Sequence, residues 1–228
     1  LSSFSNHQVP PSWTTSTANA NARLSAVDNG FGVAKVTANE RGSVVTKHDR
    51  ACAGTPTSPC PTSLTQDIGF NLGQFDNGAN WVFVQAHDAG GRSSALEAMP
   101  IRIDREKPTI IANGGLTQTE SPSKQMTLEV RDFGNVNETY DANGDLNFSL
   151  FLTNQGDLRS GAKSVEVKVG GERVHYEERT CTSINGSCRI SPKTITPDLS
   201  SLDDGIHQVQ VIAKDQMGNQ QTQSWTKR

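Results

Sequence analysis

The chain repeats itself, and no other feature limits its possible folds so strongly. At an offset of 129 residues Gly32 meets Gly161, Val36 meets Val165, Gly42 meets Gly171 and Cys52 meets Cys181. Past the cysteines the offset becomes 127. Gly78 then meets Gly205, and Val82, Val84, Ala86, Asp88 and Gly91 meet Val209, Val211, Ala213, Asp215 and Gly218. Upstream, Leu24 and Asp28 meet Leu128 and Asp132 at an offset of 104. The step from 104 to 129 gives the second copy about 25 extra residues, near 133–160. Copy one runs over 1–104 and copy two over 105–228. The join, Ile103-Asp-Arg-Glu-Lys-Pro108, is charged, and Pro108 stops a helix from crossing it. A fold built twice in 228 residues has the size of a small domain each time.

The local signals within each copy are those of strands. Leu24-Ser-Ala26-Val-Asp28, Leu128-Glu-Val130-Arg-Asp132 and Val165-Glu-Val167-Lys-Val169 alternate with period two, as do Trp81-Val-Phe83-Val and Val209-Gln-Val211-Ile. Turn residues separate them: Gly170-Gly171, Asp76-Asn-Gly78, Asp203-Asp-Gly205 and Met217-Gly-Asn219. No segment keeps an amphipathic helical period over three turns. Leu, Ile, Val and Phe supply only about a fifth of the chain, so the cores are thin. The expected class is all-β: two tandem antiparallel β-sandwiches.

The second copy carries a longer pattern: Ser160-Gly161, then Val165-Glu-Val167-Lys-Val169-Gly-Gly171, a cysteine pair, and Asp204-Gly205-Ile-His-Gln-Val209-Gln-Val211-Ile-Ala213-Lys-Asp215-Gln-Met-Gly218-Asn219. Copy one keeps Gly32, Val36, Gly78 and Ala86-His-Asp88-Ala-Gly-Gly91. Each copy resembles a bacterial immunoglobulin-like (Big-type) domain, the tandem module of large secreted and surface proteins, including YD-repeat proteins. The resemblance covers most of the chain except 133–160 and the first residues. It implies an immunoglobulin-like sandwich fold and says little of function, because such modules serve as spacers, stalks and binding platforms. Copy two stops about three residues short of the point equivalent to Asp104, so its last strand is expected to be clipped or continued elsewhere.

Charge and cysteines limit compartment and partners. A net charge of −3 offers no basic surface for nucleic acid and no polybasic anchor. No apolar run has the length of a membrane span, so membrane insertion is not expected. The four cysteines form two close pairs, Cys52/Cys60 and Cys181/Cys188. Their C-x7-C and C-x6-C spacings are wider than zinc knuckles, and two local disulfides in an oxidising, extracellular setting are expected.

Recurrence sorts the candidate site residues. Asp88 and Asp215 share a repeat position, as do Asp28 and Asp132. Each reads as a side chain bonding turn amides rather than as a calcium ligand or a catalytic group. His87 adjoins Asp88, but neighbouring strand residues face opposite ways, and copy two has Lys214 there. None of the five histidines lies in a nucleophile or metal-binding motif, so no enzyme is expected. In the insert, Asp141, Asn143 and Asp145 have the opening spacing of a calcium-binding EF-hand loop. Leu146 and Leu152 stand where Gly and Glu belong, which leaves a looser calcium site or a polar surface hairpin. Tyr140 and Phe148, with Phe151, form one candidate contact patch. Trp81, on one strand face with Phe83, is another, with a packing role as its alternative. Trp13 falls opposite Ile110 when Pro11 is set against Pro108, which places it in the core of a first strand.

The expected function is a non-catalytic extracellular spacer, stalk or presentation element of a larger protein. Its partners would be adjacent modules or neighbouring subunits, and it needs no cofactor unless the insert takes calcium. Two other functions compete with it. One is a module binding a glycan or a host surface protein through 133–160 or Trp81. The other is a filament subunit completing its neighbour's sheet by strand addition.

Overall fold

In the computed structural model, residues 13–40, 42–132, 159–179, 190–200 and 203–228 are described. The described residues form strands, turns and two single 3-10 turns. The chain divides into two compact units, Leu1–Ile103 and Asp104–Arg228. Asp104 thus opens unit 2.

Unit 1 contains β1 (Asn19–Val27), β2 (Val33–Glu40), β3 (Ser43–Asp49), β4 (Ser63–Asn71), β5 (Gly78–Asp88) and β6 (Glu97–Ile103). β1 pairs antiparallel with β4, and the other four form a sheet in the order β3-β2-β5-β6. Alternation drives this pairing of faces. Val82, Val84 and Ala86 of β5 are fully buried, while Trp81, Phe83 and His87 face outward. They pack with Leu24, Val36, Leu64, Phe70 and Met99 in one core. Burying each such large side chain stabilises the unit by ~1.5–3 kcal/mol. Trp13 is buried as expected, but its chain does not add to β1. The Thr14 N–H donates to the Arg102 carbonyl at 3.0 Å, and Thr14 bridges Ile103 in parallel.

Unit 2 contains β7 (Thr109–Asn113), β8 (Met126–Arg131), β9 (Ala162–Val169), β10 (Glu172–Glu178), β11 (Ile190–Ile195), β12 (His207–Asp215) and β13 (Gln220–Lys227). Its sheets run β11-β8-β7 and β10-β9-β12-β13. The latter repeats the unit 1 order β3-β2-β5-β6 strand for strand. Register repeats too: Thr37 faces Gln85 and Lys47 in unit 1, while Glu166 faces Ile212 and Tyr176 in unit 2. The hairpin β9–β10 turns on Gly170 and Gly171, whose φ values of 60° and 92° favour glycine. Leu116, Leu128, Val130, Val167, Ile190 and Val211 are fully buried in one core. Both units are antiparallel sandwiches with immunoglobulin-like strand order.

β13 pairs with β12 from Lys227↔His207 to Gln220↔Lys214. Its buried Lys227 Nζ donates to the carbonyls of Gly115 and Ser121, which ties the strand end to the 3-10 turn at Gly115–Thr117.

Candidate functional site

Cys52 and Cys60 form a disulfide with Cα atoms 5.1 Å apart. The loop it closes packs on the β1–β2 turn, and Val33 N–H donates to the Pro61 carbonyl at 2.8 Å. The contact is close enough to require glycine. A Cβ on Gly32, whose φ is 79°, would lie 2.4 Å from the Cys60 carbonyl oxygen. Cys181 and Cys188 fall outside the described residues, as do Tyr140, Phe148, Asp141, Asn143 and Asp145. Trp81 pairs with Pro100 across β5–β6. Its ring is half-buried on the outer face of the sheet, and its indole nitrogen is buried without a hydrogen-bond partner.

The recurring aspartates make the same bonds in both units. Asp28 accepts from Gly32 N–H at 2.8 Å, and Asp132 accepts from Gly161 N–H at 2.7 Å. Asp88 accepts from Arg92 N–H at 2.7 Å, and Asp215 from Asn219 N–H at 2.8 Å. All four carboxylates are buried and hold the turns between strands, where backbone amides need acceptors.

The units then diverge. In unit 1 the Arg92 guanidinium closes on Asp88 at 2.7 Å and supplies positive charge. Burial pushes the Asp88 carboxyl up, but the Arg92 backbone amide and guanidinium outweigh it and hold it below the usual carboxylate range. In unit 2 the same repeat position is Asn219, whose amide donates to Asp215 at 2.6 Å and brings no charge. A third carboxylate joins as well. Asp104 is fully buried, accepts from Ser160 N–H at 2.7 Å, and lies in one cluster with Asp132 and Asp215, their oxygens within 4.8 Å.

Electrostatics make this cluster unusual. Burial, then the charges of Asp104 and Asp215, push the Asp132 carboxyl up to about 8. Burial also raises Asp215, with Asp104 adding to it. Arg159 is the nearby cation and pulls Asp132 down, but its guanidinium is paired with Glu106 at 3.0 Å. A shared proton or a cation would relieve the repulsion that remains among the three carboxylates. The donors of the cluster are all carboxylate oxygens, the set that suits calcium or magnesium rather than zinc or copper. Asp104, Asp132 and Asp215 are therefore the residues that fit a hard divalent ion. Such an ion would neutralise the cluster and release the proton on Asp132.

A Ser–His contact also exists in unit 1. Ser93 Oγ lies 2.8 Å from His87 Nδ1, and Thr37 Oγ1 lies 3.0 Å from Nε2. Desolvation, then Lys35, holds the imidazole below its ordinary value and neutral. A hydroxyl rather than a carboxylate orients the ring, and Asp88 is spent on Arg92 from the other face, so the arrangement is a cross-strand bond.

No family model and no curated protein matches the chain. Among solved structures it is similar to the fibronectin(III)-like modules of Clostridium thermocellum CbhA, at 14% identity and a TM-score of 0.32, over 95% of this chain and 87% of that one. It is also similar to Bacteroides uniformis beta-glucuronidase 3, at 12% identity and a TM-score of 0.24, over 98% of this chain and 24% of that one. A third is Bacteroides ovatus SGBP-B of a mixed-linkage glucan utilization locus, in complex with a mixed-linkage heptasaccharide. It matches at 14% identity and a TM-score of 0.25, over 95% of this chain and 64% of that one. At these scores the fold rests on the strand order described above.

Proposed function

We propose that the chain is a non-catalytic extracellular structural element, two sandwiches that space or present other parts of a longer protein. The observation that carries this reading is what the recurring polar residues do. Asp28, Asp88, Asp132 and Asp215 are buried and spent on turn amides, so what the repeat preserves is the sandwich itself. The Cys52–Cys60 disulfide fits an oxidising, extracellular setting. Calcium serves unit 2 as a structural ion at Asp104, Asp132 and Asp215, in the place where unit 1 uses Arg92. The charge balance supports this assignment: Asp88 has Arg92 beside it in unit 1, while in unit 2 Asp215 has the neutral Asn219 and shares a cluster with Asp104 and Asp132, whose nearby Arg159 is paired with Glu106.

Stretching the full chain in single-molecule force spectroscopy tests the spacer reading. Two discrete unfolding events are expected, one per unit, with calcium raising the force of one of them. Smooth extension without a peak would overturn it.

A further inference from the structure

The outer face of the unit 1 sheet β3-β2-β5-β6 is apolar where the matching face of unit 2 is polar. Register sets its residues side by side. Phe83 of β5 lies between Asn39 of β2 and Ala98 of β6, and Val44 of β3 lies beyond Asn39. Trp81 and Pro100 form the next outward pair along β5 and β6. Val44 is 57% exposed and Phe83 38%, and Ala98 is exposed as well. Trp81 and Pro100 are half-buried. The indole nitrogen of Trp81 has no exposed surface, so the part of the ring that faces outward is carbon.

Unit 2 shows what this face carries when it is left to water. At the positions set by the same register it has Arg173 for Val44, Lys168 for Asn39, Gln210 for Phe83, Ser224 for Ala98, Gln208 for Trp81 and Thr226 for Pro100. Every one of them is polar. A single exposed apolar residue is ordinary on a protein surface. Apolar neighbours that the second copy of the fold replaces throughout mark a contact surface.

Charge and size say what fits it. The centre of the face is uncharged. Lys35, Lys47 and Asp49 stand at one end, with Lys47 paired to Asp49 at 3.1 Å, and Arg102 stands at the other. An apolar centre inside a charged rim is the anatomy of a protein interface. An ionic partner finds no opposite charge at the centre, whereas an identical face meets it there without leaving a charge unpaired. Four strands of 7 to 11 residues, spaced about 4.8 Å apart and rising about 3.3 Å per residue, present about 450–700 Å². Two such faces, packed sheet on sheet, bury about 900–1,400 Å² together, which reaches the range of stable interfaces. We propose that two copies of the chain form a homodimer through this face, unit 1 against unit 1, with Phe83 near the twofold axis. The proposal goes beyond the spacer role and depends neither on it nor on the cation.

The test is sedimentation velocity of the full chain over a concentration series reaching about 1 mM, well above the Kd expected for a small interface. A monomer–dimer equilibrium with a Kd on the order of ten micromolar is expected. Phe83→Gln and Val44→Arg give unit 1 the residues of unit 2 at exposed positions, so circular dichroism should show both variants folded. Each should weaken the dimer at least about tenfold, and the double variant should be monomeric throughout. Gln210→Lys, on the matching face of unit 2, should leave the equilibrium unchanged. High salt should not weaken the dimer, because its centre is apolar. A chain that stays monomeric at the top concentration would overturn the proposal and leave the face to a partner other than a second copy. A dimer that persists unchanged in folded Phe83→Gln and Val44→Arg, or one that Gln210→Lys disrupts as strongly, would overturn it too.

Discussion

The two units close the same end of the same sandwich with opposite charge bookkeeping. In unit 1, Asp88 is matched by an arginine four residues on, in the same turn. In unit 2 that arginine is an asparagine, and Asp104 adds a carboxylate instead. Unit 1 carries its cation within the chain. Unit 2 has three buried carboxylates near Arg159, itself paired with Glu106, and a proton or an ion from solution would relieve their repulsion. A scaffold whose cation is a side chain does not depend on the divalent ions of the medium, whereas one that borrows its cation would.

The first expected effect separates the units by calcium. With calcium at a hundredfold excess over its Kd, unit 2 gains ~2.7 kcal/mol of stability relative to the chelated chain. Hydrogen exchange on the intact chain reads this as about a hundredfold slower exchange in the β8, β9 and β12 core, with β2 and β5 unchanged. Asp104→Asn should remove most of that response. Equal slowing in both units, or none, would break the comparison.

The next effect falls on unit 1 alone among the described residues. Replacing Cys52 and Cys60 by serine opens a short loop, with a loss of ~2–3 kcal/mol in the chain-entropy account. Faster exchange should begin at Val33 and Asp28, whose amides bond to Pro61 and Thr62 beside Cys60.

Much of this was legible in the sequence, and the rest failed for physical reasons. Alternation placed β5, β8, β9 and β12, because period two follows directly from strand geometry. Recurrence marked Asp88 and Asp215 as turn locks, and their amide bonds are those of the structure. The carboxylate cluster was not legible as a cluster. Recurrence favours turn bonds over calcium ligation for Asp132 and Asp215 taken singly, and Asp104, Asp132 and Asp215 are far apart in sequence and meet only through folding. One signal was available: at the repeat offset, Arg92 falls on Asn219, a lost positive charge beside a retained Asp. The alignment of Trp13 with Ile110 placed it in the core, where it lies. Proline alignment fixes position along the chain but not which neighbour accepts the backbone bonds, and here that neighbour is β6.

Acidity should move the units in opposite directions when no divalent ion is present. Asp132 binds its proton more tightly folded, near 8, than unfolded, near 3.9. Its contribution is complete below the unfolded value and is lost as pH rises toward 8, by up to ~1.4 kcal/mol per pH unit. Asp88 is held below its ordinary value, so its contribution is present above that value and is lost as pH falls through the folded one. Exchange at pH 5 and pH 8 in chelator should therefore show unit 2 more protected at pH 5 and unit 1 no more so. Calcium should flatten the unit 2 response, because the ion takes the place of the proton. A unit 2 that gains protection toward pH 8 in chelator would contradict the shared-proton account.

The smallest effect is the most discriminating. Arg92→Asn gives unit 1 the residue that unit 2 has at this position. The Arg92 side chain is 63% exposed, so solvent screens the ion pair and its loss should cost about 1 kcal/mol or less. Its contact over Phe31, at 5.4 Å, goes with it. If the lost arginine alone makes an ion site, the variant should acquire a calcium response in unit 1. If the third carboxylate is required, it should only weaken unit 1 and remain blind to calcium. The second outcome is expected, because among the described residues only Asp104, Asp132 and Asp215 bring three acidic side chains together. The reciprocal Asn219→Arg supplies unit 2 with a built-in cation and should abolish its calcium response while leaving its folded core intact. A calcium response that persists in Asn219→Arg would mean that charge balance at this end of the sandwich is not what sets the two units apart.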